Sequence, residues 1–504
     1  MKIITSLVAL ATFTTVAACN VETASPNDGD KSDKNGESAA PPAAMPTNDP
    51  MNPSPTPAAG KAIVRVVHAS ADAPSVDVYA RGSDKPLVTG LMYGQTSGWL
   101  EVPPGTYEFE LRAAPSKPSD PIAYKTSALA IPAGVKVSAI AAGLLSSQDP
   151  DSAFRVVPVV EGFGAKAAGA ARLRVVHAGS DAPSVDLDVG NDDPASPEVA
   201  GLARFSDTGA AGVSLPAGKA LAIGIASGGE RVTAFTTPKL PDGGEIIVIA
   251  TGLLGKLARE REGFALLAVG GNGSIGFVKQ DPRVYALHGS PDAPRVDIFA
   301  GAAEIASNVA FGQLSGPIQV QPGNYTLDIF AATAGTARPA GAPALSAETG
   351  PLEAGERYLT VAEGFISGTG ASALRLAAYK EGFALGTGKA QLRAVHASPD
   401  APEVDIGLSV TGAKIDPVLF GGLSFSQASA LEGLGAAAGH LPIGVTPANQ
   451  NTSVVARVTL PATNDQRAFV LAGGALNSSR GQSFRFFVVD TATAPWTLST
   501  VFPH

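Results

Sequence analysis

A single cysteine, Cys19, occurs among the 504 residues. No internal disulfide can form, so any folded region must be held by its apolar core, and domains of about 100 residues bury enough surface to fold alone. Charge is scarce too. Asp, Glu, Lys and Arg make up 16% of the chain, with a net charge of -9, below the roughly 25% of typical domains. No block of clustered Lys and Arg appears, so nucleic acid is not an expected partner. Apart from the first residues, the best apolar runs, 137–145 and 246–254, hold about nine residues each against the roughly 20 that a membrane-spanning helix needs. A G-x-S-x-G elbow, a Walker loop and an H-E-x-x-H zinc motif are all missing. The spelling Gly271-Asn272-Gly273-Ser274-Ile275-Gly276 fits a dinucleotide fingerprint, but no helical pattern follows it, so it is rejected.

What the chain has is repetition. One ten-residue phrase occurs four times: HASADAPSVD from His68, HAGSDAPSVD from His177, HGSPDAPRVD from His288 and HASPDAPEVD from His396. The starts are 109, 111 and 108 residues apart, the length of one small domain, and self-similarity at a fixed period fixes the architecture. Around each copy, short β-type runs alternate with Gly and Pro, and no stretch shows capped helical periodicity. The expected fold is all-β: four tandem immunoglobulin-like or transthyretin-like antiparallel β-sandwiches. The expected boundaries are 61–164, 170–272, 277–384 and 389–504, with Gly- and Ala-rich joints at 164–169, 270–276 and 386–389 short enough for neighbours to touch.

The first 60 residues differ in texture. Lys2 and a mostly apolar stretch over 3–15 have the shape of a cleaved targeting signal. Residues 20–60 are polar, then Pro-rich, with too little apolar surface to offset the entropy of ordering, and read as a disordered tether. The run Val16-Ala17-Ala18-Cys19 looks like the lipobox of bacterial lipoproteins. The resemblance implies a signal peptide over 1–19, lipidation of Cys19 and attachment to a membrane through that lipid. Asn20, where Asp favours inner-membrane retention, is compatible with the outer membrane of a Gram-negative cell, on its surface or periplasmic face.

The repeated phrase has a physical grammar. A strand delivers the histidine (His68, His177, His288, His396). An Asp-Ala-Pro follows, whose Asp (Asp72, Asp181, Asp292, Asp400) can bond backbone amides while the proline extends its predecessor. A second Asp (Asp77, Asp186, Asp297, Asp405) opens the next strand. The phrase resembles the signature of a bacterial surface-protein family known as domain of unknown function 4397, in four copies over roughly residues 62 to 491. The resemblance implies repeated, extracytoplasmic, β-rich domains and no established reaction.

Two readings of the His and Asp residues stay open. They can bond each other and the turn backbone, fixing a corner between two strands. Alternatively, an imidazole and two carboxylates can hold a divalent metal or a ligand. The corner is the expected reading, with no catalytic residue, no metal and no cofactor. In repeat one, Tyr79, Tyr93, Trp99 and Tyr107 could line a sugar-binding face, but an aromatic core is the expected reading. The chain thus reads as a non-catalytic, lipid-anchored envelope protein serving adhesion, ligand display or scaffolding, with an envelope polysaccharide or protein as its ligand. The alternative is a metal-dependent binding module or an enzyme using the repeated His and Asp.

Overall fold

The computed structural model describes residues 49–504. Cys19, the lipobox-like run and most of the expected tether lie outside the described residues. Within them the chain folds into four successive β-sandwiches, with no α-helix and two short 3-10 turns.

Each sandwich opens on a strand carrying the motif histidine at or next to its end: Ala62–His68, Ala170–His177, Arg283–His288 and Ala390–Ala397. The chain then crosses to a second sheet, builds antiparallel hairpins there and returns. The returning strands, Lys136–Ala142, Glu245–Thr251, Arg357–Glu363 and Arg467–Gly473, run parallel to the opening strands. Each first sheet therefore holds one parallel pair among its antiparallel ones. Parallel neighbours need a long crossover, and here the whole second sheet supplies it. In the first repeat the two sheets run 155–160, 136–142, 62–68, 100–102 and 86–91, 76–80, 109–113, 124–125.

The second and fourth repeats add a fifth strand, Gly273–Lys279 and Thr497–Val501. The glycine-rich stretch 270–276, expected as a joint, is therefore a hairpin. Gly270 pairs with Gly273 across a two-residue Gly-Asn turn, a combination that favours tight hairpins. The second domain runs to 279 rather than 272. The end of the expected tether is also placed against the folded region. Pro50 O accepts from Asn272 N–H at 3.2 Å, Ser54 Oγ accepts from Lys136 Nζ at 2.7 Å, and Met51 packs on the core of the second repeat.

The near-continuous apolar runs of the first sheets are explained by burial on both faces. Side chains alternate across a strand. In the second repeat Ile246 and Leu266 face their own sandwich, while Val176, Ile247 and Leu267 meet Val67, Ile140 and Val159 of the first repeat in one cluster. The third and fourth repeats share a core in the same way, with Leu287 and Leu359 against Val395, Phe469, Leu471 and Trp496. The four domains are thus two pairs, each joined by an apolar layer between first sheets. The contact between pairs includes polar links: Gln319 Nε2 donates to Thr233 Oγ1 at 3.1 Å, and Asp281 N–H donates to Ala234 O at 2.8 Å.

Candidate functional site

In all four copies the motif histidine sits opposite an alanine of the parallel returning strand: Ala141, Ala250, Ala362 and Ala472. The small neighbour leaves room for the ring, and each histidine is at most 2% exposed. Nε2 lies 2.9, 2.7, 2.8 and 3.0 Å from the carbonyl oxygen six residues on, at Pro74, Pro183, Pro294 and Pro402. A carbonyl only accepts, so Nε2 carries the proton. In the second and fourth copies Nδ1 accepts from Gly179 N–H at 3.3 Å and Ser398 N–H at 3.4 Å, which fixes the same neutral tautomer. Burial holds all four imidazoles below their ordinary pKa, outweighing the opposing pull of the proline carbonyl. The ring closes the corner between two strands as a neutral brace.

The first Asp turns away from the histidine. It reaches the loop after the returning strand and accepts from two successive backbone amides there. Asp72 accepts from Leu145 N–H at 2.8 Å and Ser146 N–H at 2.9 Å, Asp292 from Ile366 at 2.7 Å and Ser367 at 3.0 Å, and Asp400 from Leu476 at 2.8 Å and Asn477 at 3.1 Å. Asp181 binds Leu254 and Gly255 in the same way. Burial pushes the Asp72 and Asp292 carboxyls up, but hydrogen bonds from Ser146, Leu145, Ser367 and Ile366 more than offset it, leaving both below the usual carboxylate range. These carboxylates therefore stabilise the fold above their ordinary pKa and lose that contribution as pH falls through the depressed value.

The loop they hold carries a second repeated signature that motif reading missed: Gly143-Leu144-Leu145-Ser146, Gly252-Leu253-Leu254-Gly255, Gly364-Phe365-Ile366-Ser367 and Gly474-Ala475-Leu476-Asn477. Its glycine has φ between 82° and 93° in all four copies. A Cβ there would collide with the backbone carbonyl of Ala153, Gly263, Ala373 or Ser483, so only glycine fits. Ser70 Oγ and Ser398 Oγ donate to the Gly143 and Gly474 carbonyls, each at 2.7 Å.

The second Asp serves a different backbone. Its Oδ1 accepts from Gly90, Gly201, Asn308 or Gly422 N–H at 2.7–2.8 Å. Each donor has a positive φ, and the neighbouring strand shifts register there. This is a β-bulge with a left-handed residue, and the carboxylate satisfies its amide. Oδ2 of Asp77, Asp297 and Asp405 accepts from Ser116, Thr333 and Asn449 N–H.

The structure does not bring the His and Asp residues of one repeat together. The imidazole, the first carboxylate and the second carboxylate each bind a separate stretch of backbone. Among the described residues no group of three or more His, Cys, Asp or Glu side chains is placed to hold a metal ion. The aromatic residues of repeat one share no exposed face either. Tyr79 and Tyr93 are buried, Trp99 Nε1 donates to Gly271 O at 2.9 Å beside the Arg65 guanidinium, and Tyr107 OH donates to Pro103 O at 2.7 Å.

No curated protein matches the chain. Among solved structures, the Bacillus anthracis TIE protein is similar at 9% identity over 84% of this chain and 69% of that chain, with a TM-score of 0.14, a value that relates no fold. A family model described as Domain of unknown function (DUF4397) matches residues 62–188 and 282–407. Each match spans the first repeat of a pair and the opening strand and motif of the second. The chain belongs to the DUF4397 family.

Proposed function

We propose that the protein is a non-catalytic, lipid-anchored component of the bacterial cell envelope, in which paired β-sandwiches form a scaffold that displays ligand-binding surfaces away from the membrane. One observation carries this reading. The polar side chains repeated four times, from which chemistry would be expected, are engaged with backbone amides and carbonyls of their own domain. Groups fixed in this way brace a fold and are not free to take a substrate. The anchor rests on Cys19 and the lipobox-like run before it. Two or three acyl chains, each methylene contributing about 0.8 kcal/mol on burial, hold a protein stably on a bilayer.

Fractionation of cells carrying the wild type and Cys19→Ala tests the reading. The wild type should stay with washed membranes and the variant should appear in the soluble fraction. A variant that stays with the membranes overturns the lipid anchor.

A further inference from the structure

The second repeat is hollow. Between its sheets lies a cavity of about 250 Å3, whereas the inter-sheet spaces found in the first and third repeats measure about 30 Å3 each. Protein interiors pack as densely as organic crystals, with few voids larger than a water molecule, so this space sets one copy apart from its relatives.

The lining decides what can enter. Its walls are apolar, among them Val175, Ile225, Val248 and Ala268. Its polar members inside are committed elsewhere: His177 binds Pro183 O and Gly179 N–H, and Thr237 Oγ1 accepts from Leu221 N–H. A buried water needs two to four polar partners, more than these walls offer. The exposed members of the lining, Pro238, Lys239 and Ile275, mark where the cavity opens to solvent. Lys239 forms no ion pair among the described residues, so the opening carries one unneutralised ammonium. An apolar cavity of about 150 Å3 already accepts a benzene ring, and this one admits a longer hydrocarbon.

We propose that the second repeat binds one medium-chain fatty acid, with its hydrocarbon chain between the sheets and its carboxylate at Lys239. Calorimetric titration of the full chain with decanoate, and separately with decanol, tests this. The expected result is saturable binding of one decanoate per chain. Lys239→Glu should weaken decanoate about ten-fold or more, the loss of a charge-assisted contact, and leave decanol unchanged. Ala268→Phe, which fills the cavity, should abolish binding of both while the variant melts no lower than the wild type. Absence of saturable decanoate binding overturns the proposal, as does wild-type binding by folded Ala268→Phe. Unchanged decanoate affinity in Lys239→Glu overturns the placement of the carboxylate, and that exposed variant keeps the test decisive if Ala268→Phe does not fold.

Discussion

Arg65→Ala is expected to destabilise the first pair of domains by about 3–5 kcal/mol, the cost of leaving one partner of a buried ion pair alone. Arg65 lies three residues before the motif histidine, on the face of its strand that meets the second repeat. Its guanidinium donates to Glu161 Oε1 at 2.6 Å, to Ser138 Oγ at 2.7 Å and across the domain boundary to Gly270 O at 2.6 Å, and it lies 4.5 Å over the Trp99 ring. The two charged side chains are 2% and 4% exposed. Without Arg65, the Glu161 carboxylate keeps Ser138 Oγ at 2.5 Å and no counter-charge to offset its desolvation. Hydrogen exchange should show faster opening in strands of both the first and second repeats, because Gly270 loses its donor as well. Arg65→Met with Glu161→Leu removes both charges and should recover most of the loss. Wild-type protection in Arg65→Ala, or loss confined to the first repeat, contradicts a shared interface.

Glu363→Gln is expected to stabilise the second pair above neutral pH by about 3 kcal/mol. Glu363 ends the returning strand of the third repeat, at the layer shared with the fourth, and is fully buried. Neither of its oxygens has a well-formed hydrogen bond, although Ser426 and Tyr379 lie close by. Burial raises its pKa from 4.5 to about 7. Here the folded state holds the proton that the unfolded state releases. Stability is therefore full below about 4.5 and falls as pH rises toward about 7. One pKa unit corresponds to about 1.4 kcal/mol, so the whole shift is worth about 3 kcal/mol. Glutamine keeps the shape of the protonated acid and carries no charge. Denaturant melts across that window should show the variant's midpoint for the third and fourth repeats rising relative to the wild type's as pH increases, since the other groups that titrate there, His288 and His396 among them, are common to both proteins. A difference between variant and wild type that does not grow with pH contradicts the buried, proton-holding carboxylate.

Much of this fold could be read before any coordinates. The four motifs set domain count and register, and the turn residues around Asp-Ala-Pro pointed to a strand-turn-strand corner. The apolar run 137–145 implied a strand buried on both faces, and it is one as far as Ala142. What covers its second face was not legible, because alternation shows that two faces are apolar and not which neighbour meets them. The parallel pairing was hidden for a related reason. The strands 62–68 and 136–142 are separated by the whole second sheet, and no local signal marks their adjacency. The latch of the first Asp was half visible. Its receiving loop recurs as a Gly-led signature at nearly constant spacing, and the positive φ of Gly143, Gly252, Gly364 and Gly474 is the physical reason. The partner of the second Asp was not visible, since Gly90, Gly201, Asn308 and Gly422 lie at varying distances along hairpins of unequal length. The Gly-Asn turn at 271–272 has the composition of a joint, because turns and linkers use the same residues.

The repeated motif is a structural corner, and the four imidazoles report on it directly. Long-range proton–nitrogen correlation spectra of histidine-labelled protein distinguish ring tautomers, and the chain has six histidines, with His440 and His504 exposed. The prediction is that His68, His177, His288 and His396 all show the neutral Nε2–H form, stay neutral as pH falls to their ordinary value of 6.5, and do not shift when zinc is added. A motif histidine that carries its proton on Nδ1, or that moves with zinc, contradicts the corner and returns the motif to the role of a ligand.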